Sequence, residues 1–188
     1  VSPRTGGDLG AFCARVVRFD PGTLVRLSGG AVWARLPFDV LVTRPVEAGS
    51  GDVTYRADEL LEAAVSPPPS RDAEWRGALP RAAGRTLEEI PAVELRRIAD
   101  AAAATLRDAP PTLGERRVRD ALLEHVAITV STDDGESAEI PLRLVLGLTR
   151  MGFLGEAPVA VRRSGGWTGL VGEFGAAWYR PALTFRTI

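Results

Sequence analysis

The sequence predicts an α+β protein: antiparallel strands, in an N-terminal meander and C-terminal hairpins, packed with four to five helices. Three observations lead there. Short β-branched runs parted by glycine turns cluster near both ends, apolar residues three to four apart fill the middle, and 188 residues at 45% apolar and 25% charged suffice for a substantial core.

Taken in order, Asp8 is placed to cap a helix whose face is Leu9, Phe12, Val16 and Phe19, and Asp20-Pro21-Gly22 breaks it. Cys13 adjoins that face and reads as a small buried hydrophobe, since nothing near it in sequence would depress its pKa. Residues 24–27, 31–36 and 40–43, separated by Ser28-Gly29-Gly30 and Pro37-Phe38-Asp39, form the meander. A short helix is expected over 57–64. From 66 to 85 neither period holds: Pro67-Pro68-Pro69 should be extended, and a loop this long inside a compact fold is a binding segment, a strap or a linker. Trp75 argues against a plain linker, because an indole is costly to leave in water. It either pins the strap to the protein's own core or contacts a partner.

Two helices follow. Leu95, Ile98, Ala99, Ala102 and Leu106 share one face after Pro91, and Thr112 with Glu115 makes a capping box for a second helix bearing Val118, Ala121, Leu122 and His125 on one side. His125, at the end of that apolar side, reads as a packed or capping histidine rather than a catalytic base. Residues 127–132 and 137–140 flank Asp133-Asp134-Gly135 as a hairpin. Pro141 opens the most apolar helix, Leu142 to Met151, which should be central. Strands over 159–162, 167–171, 177–179 and 183–187 complete the chain. Residues 1–7 read as a flexible tail and 8–188 as a single α+β domain with an irregular strap at 66–85.

What the chain lacks removes whole classes of chemistry. All 23 basic residues are arginine, and there is no lysine, asparagine or glutamine. A Walker loop and a pyridoxal Schiff base both need a lysine. Structural zinc needs about four soft ligands, and Cys13 and His125 stand alone and far apart. No GxSxG elbow exists, Ser50 having glycine only on its immediate sides, and Gly166, Gly169, Gly172 and Gly175 follow no strand–GxGxxG–helix pattern. The acidic hairpin turn lacks the ligand spacing of a calcium loop. No cofactor is expected, and no metal. A single cysteine and the absence of an apolar run of spanning length fit a cytoplasmic protein outside the membrane.

Net charge is −1, yet residues 120–140 carry six acids and no arginine, while 141–188 carry six arginines against two acids. Such blocks neutralise one another across a fold or leave the positive one facing an anion. Arg116, Arg117 and Arg119 suggest a nucleic-acid helix, but Glu115, Asp120 and Glu124 on the same segment offset them, so nucleic acid is not the expected partner.

The strings Ala31-Val32-Trp33-Ala34-Arg35-Leu36-Pro37, Gly114-Glu115-Arg116-Arg117-Val118-Arg119-Asp120-Ala121-Leu122-Leu123, Met151-Gly152-Phe153-Leu154 and Ala177-Trp178-Tyr179-Arg180-Pro181 resemble a family of actinobacterial proteins of unknown function. The resemblance implies a bacterial, cytoplasmic protein and carries over no activity, cofactor or site residue.

The leading functional expectation is a non-catalytic binding or interaction protein whose contacts are Trp75 and Arg76 in the strap, with Arg143, Arg150 and Trp167 lining a cationic, partly aromatic surface. Its partner would be a protein or a small anionic ligand, and self-association is compatible with the sequence. Arg143 and Arg150, seven apart, should share one helix side, with Gly147 leaving an anion-sized notch between them unless Asp133, Asp134 or Glu136 fills it. The alternative is a metal-free hydrolase in which one of Asp39, Glu74, Asp133 or Asp134 acts as general acid or base, chemistry that requires two carboxyls held roughly 5 to 10 Å apart.

Overall fold

The computed structural model describes residues 7–47, 51–63, 66–81, 84–110 and 114–181. The Thr112 half of the capping box, the 183–187 strand and all of the tail but Gly7 lie outside them. Helix α1 (Gly7–Val16) begins one residue before the expected Asp8 cap and buries Leu9, Phe12 and Val16. Strands β1 (Leu24–Ser28), β2 (Ala31–Arg35) and β3 (Leu41–Pro45) form the expected meander. Gly29 and Gly30, at φ 61° and 74°, supply the left-handed pair that a two-residue hairpin needs. Helix α2 (Ala57–Glu62) follows an additional strand, β4 (Val53–Arg56), which pairs with β1.

Beyond the strap come β5 (Arg85–Ile90), α3 (Ala92–Asp108), α4 (Glu115–Glu124), the two-stranded hairpin β6 (Val126–Ser131) and β7 (Ser137–Pro141), then α5 (Leu142–Arg150). Strands β8 (Val159–Ser164), β9 (Trp167–Gly172) and β10 (Gly175–Tyr179) end the described chain.

Eight strands make one antiparallel sheet in the order β4-β1-β2-β3-β10-β9-β8-β5. The two halves of the chain meet at β3 and β10, where Ala176 pairs with Thr43, Ala177 with Val42 and Trp178 with Leu41. Alternation sends Val25, Leu27, Val32, Ala34, Val42, Leu170 and Ala177 to one face, where they join Phe12, Leu60, Leu95, Leu144, Leu148 and Phe153 in one hydrophobic cluster. Helix α5 is central, as its composition predicts: Leu142, Leu144, Val145 and Leu148 are all buried. A methyl added at Gly147 would lie 2.7 Å from Val40 Cγ1, so the helix rests on the sheet at that glycine.

This topology explains the strap. Strand β4 lies at one edge and β5 at the other, seven inter-strand spacings apart, or roughly 34 Å. The connecting segment must cross the whole sheet. It does so on the face away from the helices. Near β4, Arg71 N–H donates to Thr54 O at 2.8 Å and Thr54 N–H donates to Asp72 Oδ1 at 2.6 Å, covering an otherwise open edge. Near β8, Ser164 Oγ donates to Arg81 O at 2.9 Å.

Helix α4 departs from expectation. None of its residues is buried, Ala121 is exposed, and His125 is exposed as well, although its backbone caps the helix by donating to Leu122 O at 3.1 Å. His125 is a capping residue through its backbone rather than a packed side chain.

Candidate functional site

All four tryptophans gather on the strap side of the sheet. Trp33, Trp167 and Trp178 come from β2, β9 and β10, and Trp75 and Leu79 reach them from the strap. A Cβ at Gly169 would fall 2.4 Å from the ring of its cross-strand partner Trp178, so the bare glycine is the seat of that indole. Trp75 is half-buried. Its indole N–H donates to Gly77 O at 3.1 Å, and the Arg26 guanidinium stands 5.8 Å from its ring centroid. Arg26 in turn pairs with Asp52 at 2.7 Å, which holds the Asp52 carboxyl below its ordinary range. Bonds from Ser70 and the Thr54 N–H do the same for Asp72. The strap is thus pinned to the protein's own sheet.

Strap residues 74–78 form a ridge between two hollows. The larger, of about 450 Å³, is lined by Arg35, Asp39, Arg143, Trp167, Tyr179 and Arg180, with Gly77, Ala78 and Glu124 at its margin. The smaller, of about 220 Å³, has Trp75, Arg76, Glu74, Asp20 and Pro37 in its wall, and Arg35 borders both. Two cations sit against aromatic faces here: Arg180 is 5.3 Å from the Trp167 centroid and Arg143 is 5.0 Å from that of Tyr179. Asp39 takes φ 60°, a left-handed conformation uncommon outside glycine but tolerated by aspartate, in the turn between β2 and β3.

Most acids of these walls are already engaged. Glu124 pairs with Arg143, Glu74 pairs with Arg71 at 3.4 Å, and Asp20 accepts the Gly22 N–H at 3.0 Å. Among the described residues no carboxylate lies within ion-pair distance of Arg35, Arg76 or Arg180.

Of the five contact residues expected from sequence, Trp75, Arg76, Arg143 and Trp167 border these two hollows, although Arg143 and Trp167 are largely buried, at 7% and 6% exposure. Arg150 does not. It lines a separate apolar groove between α3, α4 and α5, so the expected single notch between Arg143 and Arg150 does not exist. The physical reason is the seat of α5. Gly147 faces Val40, Arg143 turns under the chain to donate to Phe38 O (3.1 Å) and Leu123 O (3.3 Å), and Arg150 emerges at the far end of the helix. Nor does the acidic hairpin serve either arginine: Asp134 and Glu136 pair with Arg85 at 2.7 and 3.1 Å. The candidate catalytic carboxylates are scattered. Asp39 is in the larger hollow, Glu74 in the smaller, and Asp134 on the hairpin. No group of three or more His, Cys, Asp or Glu able to hold a metal occurs among the described residues. No helix there is long and apolar enough to cross a membrane. Sequence reasoning missed Arg35, Tyr179 and Arg180. Arg35 and Arg180 end short strand-like strings, but only the β3–β10 junction brings them together.

Residues 79–184, more than half of the chain, match a family model described as a domain of unknown function, DUF8185. The chain belongs to that family. Residues 2–77 match a second domain of unknown function, DUF8010, so the two matched segments abut inside the strap. No curated protein matches. The fold resembles that of bacterial sliding clamps. The DNA polymerase III subunit beta from Pseudomonas aeruginosa superposes with a TM-score of 0.55 at 13% identity, over 96% of this chain and 64% of that one. The subunit from Thermotoga maritima gives 0.52 at 12% identity, over 92% and 61%. A Helicobacter pylori clamp bound to a DNA ligase peptide gives 0.51 at 12% identity, over 93% and 64%. The DUF8185 chain thus spans less than two thirds of the length of these clamps, and at such identities the likeness is one of fold.

Proposed function

We propose that this protein is a non-catalytic binding protein whose strap-side hollows take a short acidic segment of a protein partner. The carrying observation is the placement of Arg35, Arg76 and Arg180, uncommitted to any described carboxylate, around two adjoining hollows with Trp75, Trp167 and Tyr179 in their walls. Arginine forks bind carboxylates bidentately and indoles supply rigid contact area, the two ingredients of small interaction hot spots. A clamp of the same fold has been crystallised with a ligase peptide, which supports a peptide as the ligand class. The carboxylate hydrolase is disfavoured because the only other carboxylate lining the hollow of Asp39 among the described residues, Glu124, is engaged by Arg143 and 68% exposed, whereas a general acid needs a desolvated carboxyl. Nucleic acid is disfavoured because α4 pairs its own charges, Arg119 with Glu115 at 2.5 Å and Arg116 with Asp120 at 4.0 Å.

The test is titration of Asp- and Glu-rich peptides, with and without an aromatic residue, followed by tryptophan emission. Wild type should bind the acidic peptides, more weakly as salt rises, and the Arg35→Ala, Arg180→Ala double variant should lose ~10-fold or more in affinity. Equal affinity of the two proteins, or preference for a basic control peptide, would refute the reading.

We also propose that residues 8–188 fold as one unit, supported by the sheet and core cluster that run through both halves. Limited proteolysis yielding two separately folded fragments split within 66–85 would refute this.

A further inference from the structure

The groove that holds Arg150 is independent of the strap side. Its volume is about 290 Å³, at the lower end of the roughly 300 to 1,000 Å³ of small-molecule pockets. The floor is α5, from Leu142 through Leu146 to Thr149 and Arg150, about 12 Å long at the helical rise. One wall is α3, where Ala99, Ala102, Ala103 and Leu106 recur at three- and four-residue spacing, and the other is Leu122 and Leu123 of α4. The two ends differ in chemistry. Phe38 and Leu123 gather about Leu142, because Arg143 beside it bonds both their carbonyls. At the other end Arg150 and Arg119 are close enough to repel. Arg150 is exposed by area, yet the surrounding walls strip enough water to push its guanidinium below its ordinary value, Arg119 adding to the effect. Arg119 has Glu115 as a partner, whereas among the described residues Arg150 has none. The single carboxylate in the lining is Asp100.

We infer that this groove is a binding site for a medium-length aliphatic carboxylate, its chain lying along α5 toward Phe38 and its head group held by Arg150 and Arg119. Charge and shape select this occupant. An apolar trough ending in two like charges is complementary to a tail with an anionic head, and the head relieves the repulsion between the arginines.

The experiment is titration with sodium decanoate below its micellar range, followed by calorimetry and by the carboxyl resonance of [1-13C]decanoate. Wild type should bind one decanoate saturably, while acetate and decylamine, which keep only the head or reverse its charge, should not bind. Arg150→Ala should weaken decanoate about tenfold and shift its carboxyl resonance toward the free value. Ala103→Trp, which fills the trough from an exposed helix position, should abolish binding with the melting temperature retained. Decanoate binding that is absent in wild type, unchanged in both variants, or matched by decylamine would overturn the proposal. So would capture of phosphatidylglycerol vesicles without binding of free decanoate, which would make the groove a membrane contact.

Discussion

Gly147→Ala separates the two ways of seating α5. Were Gly147 open to solvent between two arginines, an added methyl would meet nothing, and replacing a mid-helix glycine by alanine would stabilise the protein by roughly 0.5 to 1 kcal/mol. In the structure the same methyl falls 2.7 Å from Val40 Cγ1 and 3.6 Å from the Ala177 Cβ. Val40 is fully buried and, being β-branched, has little rotamer freedom with which to yield. Overpacking of a filled core costs about 1 to 3 kcal/mol, which set against the helical gain leaves a net loss of about 1 kcal/mol at the middle of both ranges. For a chain of this size that lowers the melting temperature by roughly 2 to 4 °C. Urea unfolding at matched m-values measures it, and a variant more stable than wild type would show that α5 does not rest on the sheet at this glycine.

Three further outcomes follow from the same geometry. Arg143→Ala removes a buried guanidinium that holds Glu124 and two main-chain carbonyls, so it should cost about 2 to 4 kcal/mol by urea unfolding, whereas Arg150→Ala should fall within about 0.5 kcal/mol of wild type. Equal effects would contradict the different settings of the two arginines. Burial pushes the Cys13 thiol up to about 12, so it should resist alkylation at pH 8 in the native protein and react once urea unfolds it. Rapid native labelling would contradict its place in the core. Asp52, Asp58 and Asp72 have folded-state pKa values below their ordinary ones, so the stability they contribute is present above about pH 4 and is lost as pH falls through the lowered values. Urea midpoints should therefore drop between pH 5 and pH 3, less steeply in Asp72→Asn, and a flat profile would contradict the pairing.

Local pattern carried much of this fold. The meander, both hairpins, α3 and the central α5 are written in alternation, glycine turns and three-to-four spacing. Strand β4 is only four residues and runs directly into helix α2, and β5 places Glu88 and Glu89 on an exposed edge strand with a register shift, so neither has a strong period. The failed pattern at 66–85 was informative in itself, since a segment that must cross eight strands cannot follow the period of either helix or strand. What sequence could not give was the β3–β10 pairing. That one non-local contact joins the two halves of the sheet and brings Arg35 of β2 beside Arg180 and Trp167. The same limit undid the Arg143 and Arg150 notch: seven-residue spacing places both on one side of an ideal helix, but which neighbour each meets depends on how α5 lies on the sheet.

The binding role of the strap-side hollows is tested most directly by the indole N–H resonances of the four tryptophans during titration with an acidic peptide. Trp75 and Trp167 border the hollows, whereas Trp33, whose N–H reaches Ser28 O at 3.4 Å, and Trp178, seated on Gly169, line neither. Peptide binding at the hollows should give saturable shifts of the Trp75 and Trp167 signals, with Trp33 and Trp178 little changed and the effect lost in the Arg35→Ala, Arg180→Ala double variant. Uniformly small shifts at saturating peptide, or shifts of Trp33 and Trp178 alone, would contradict it.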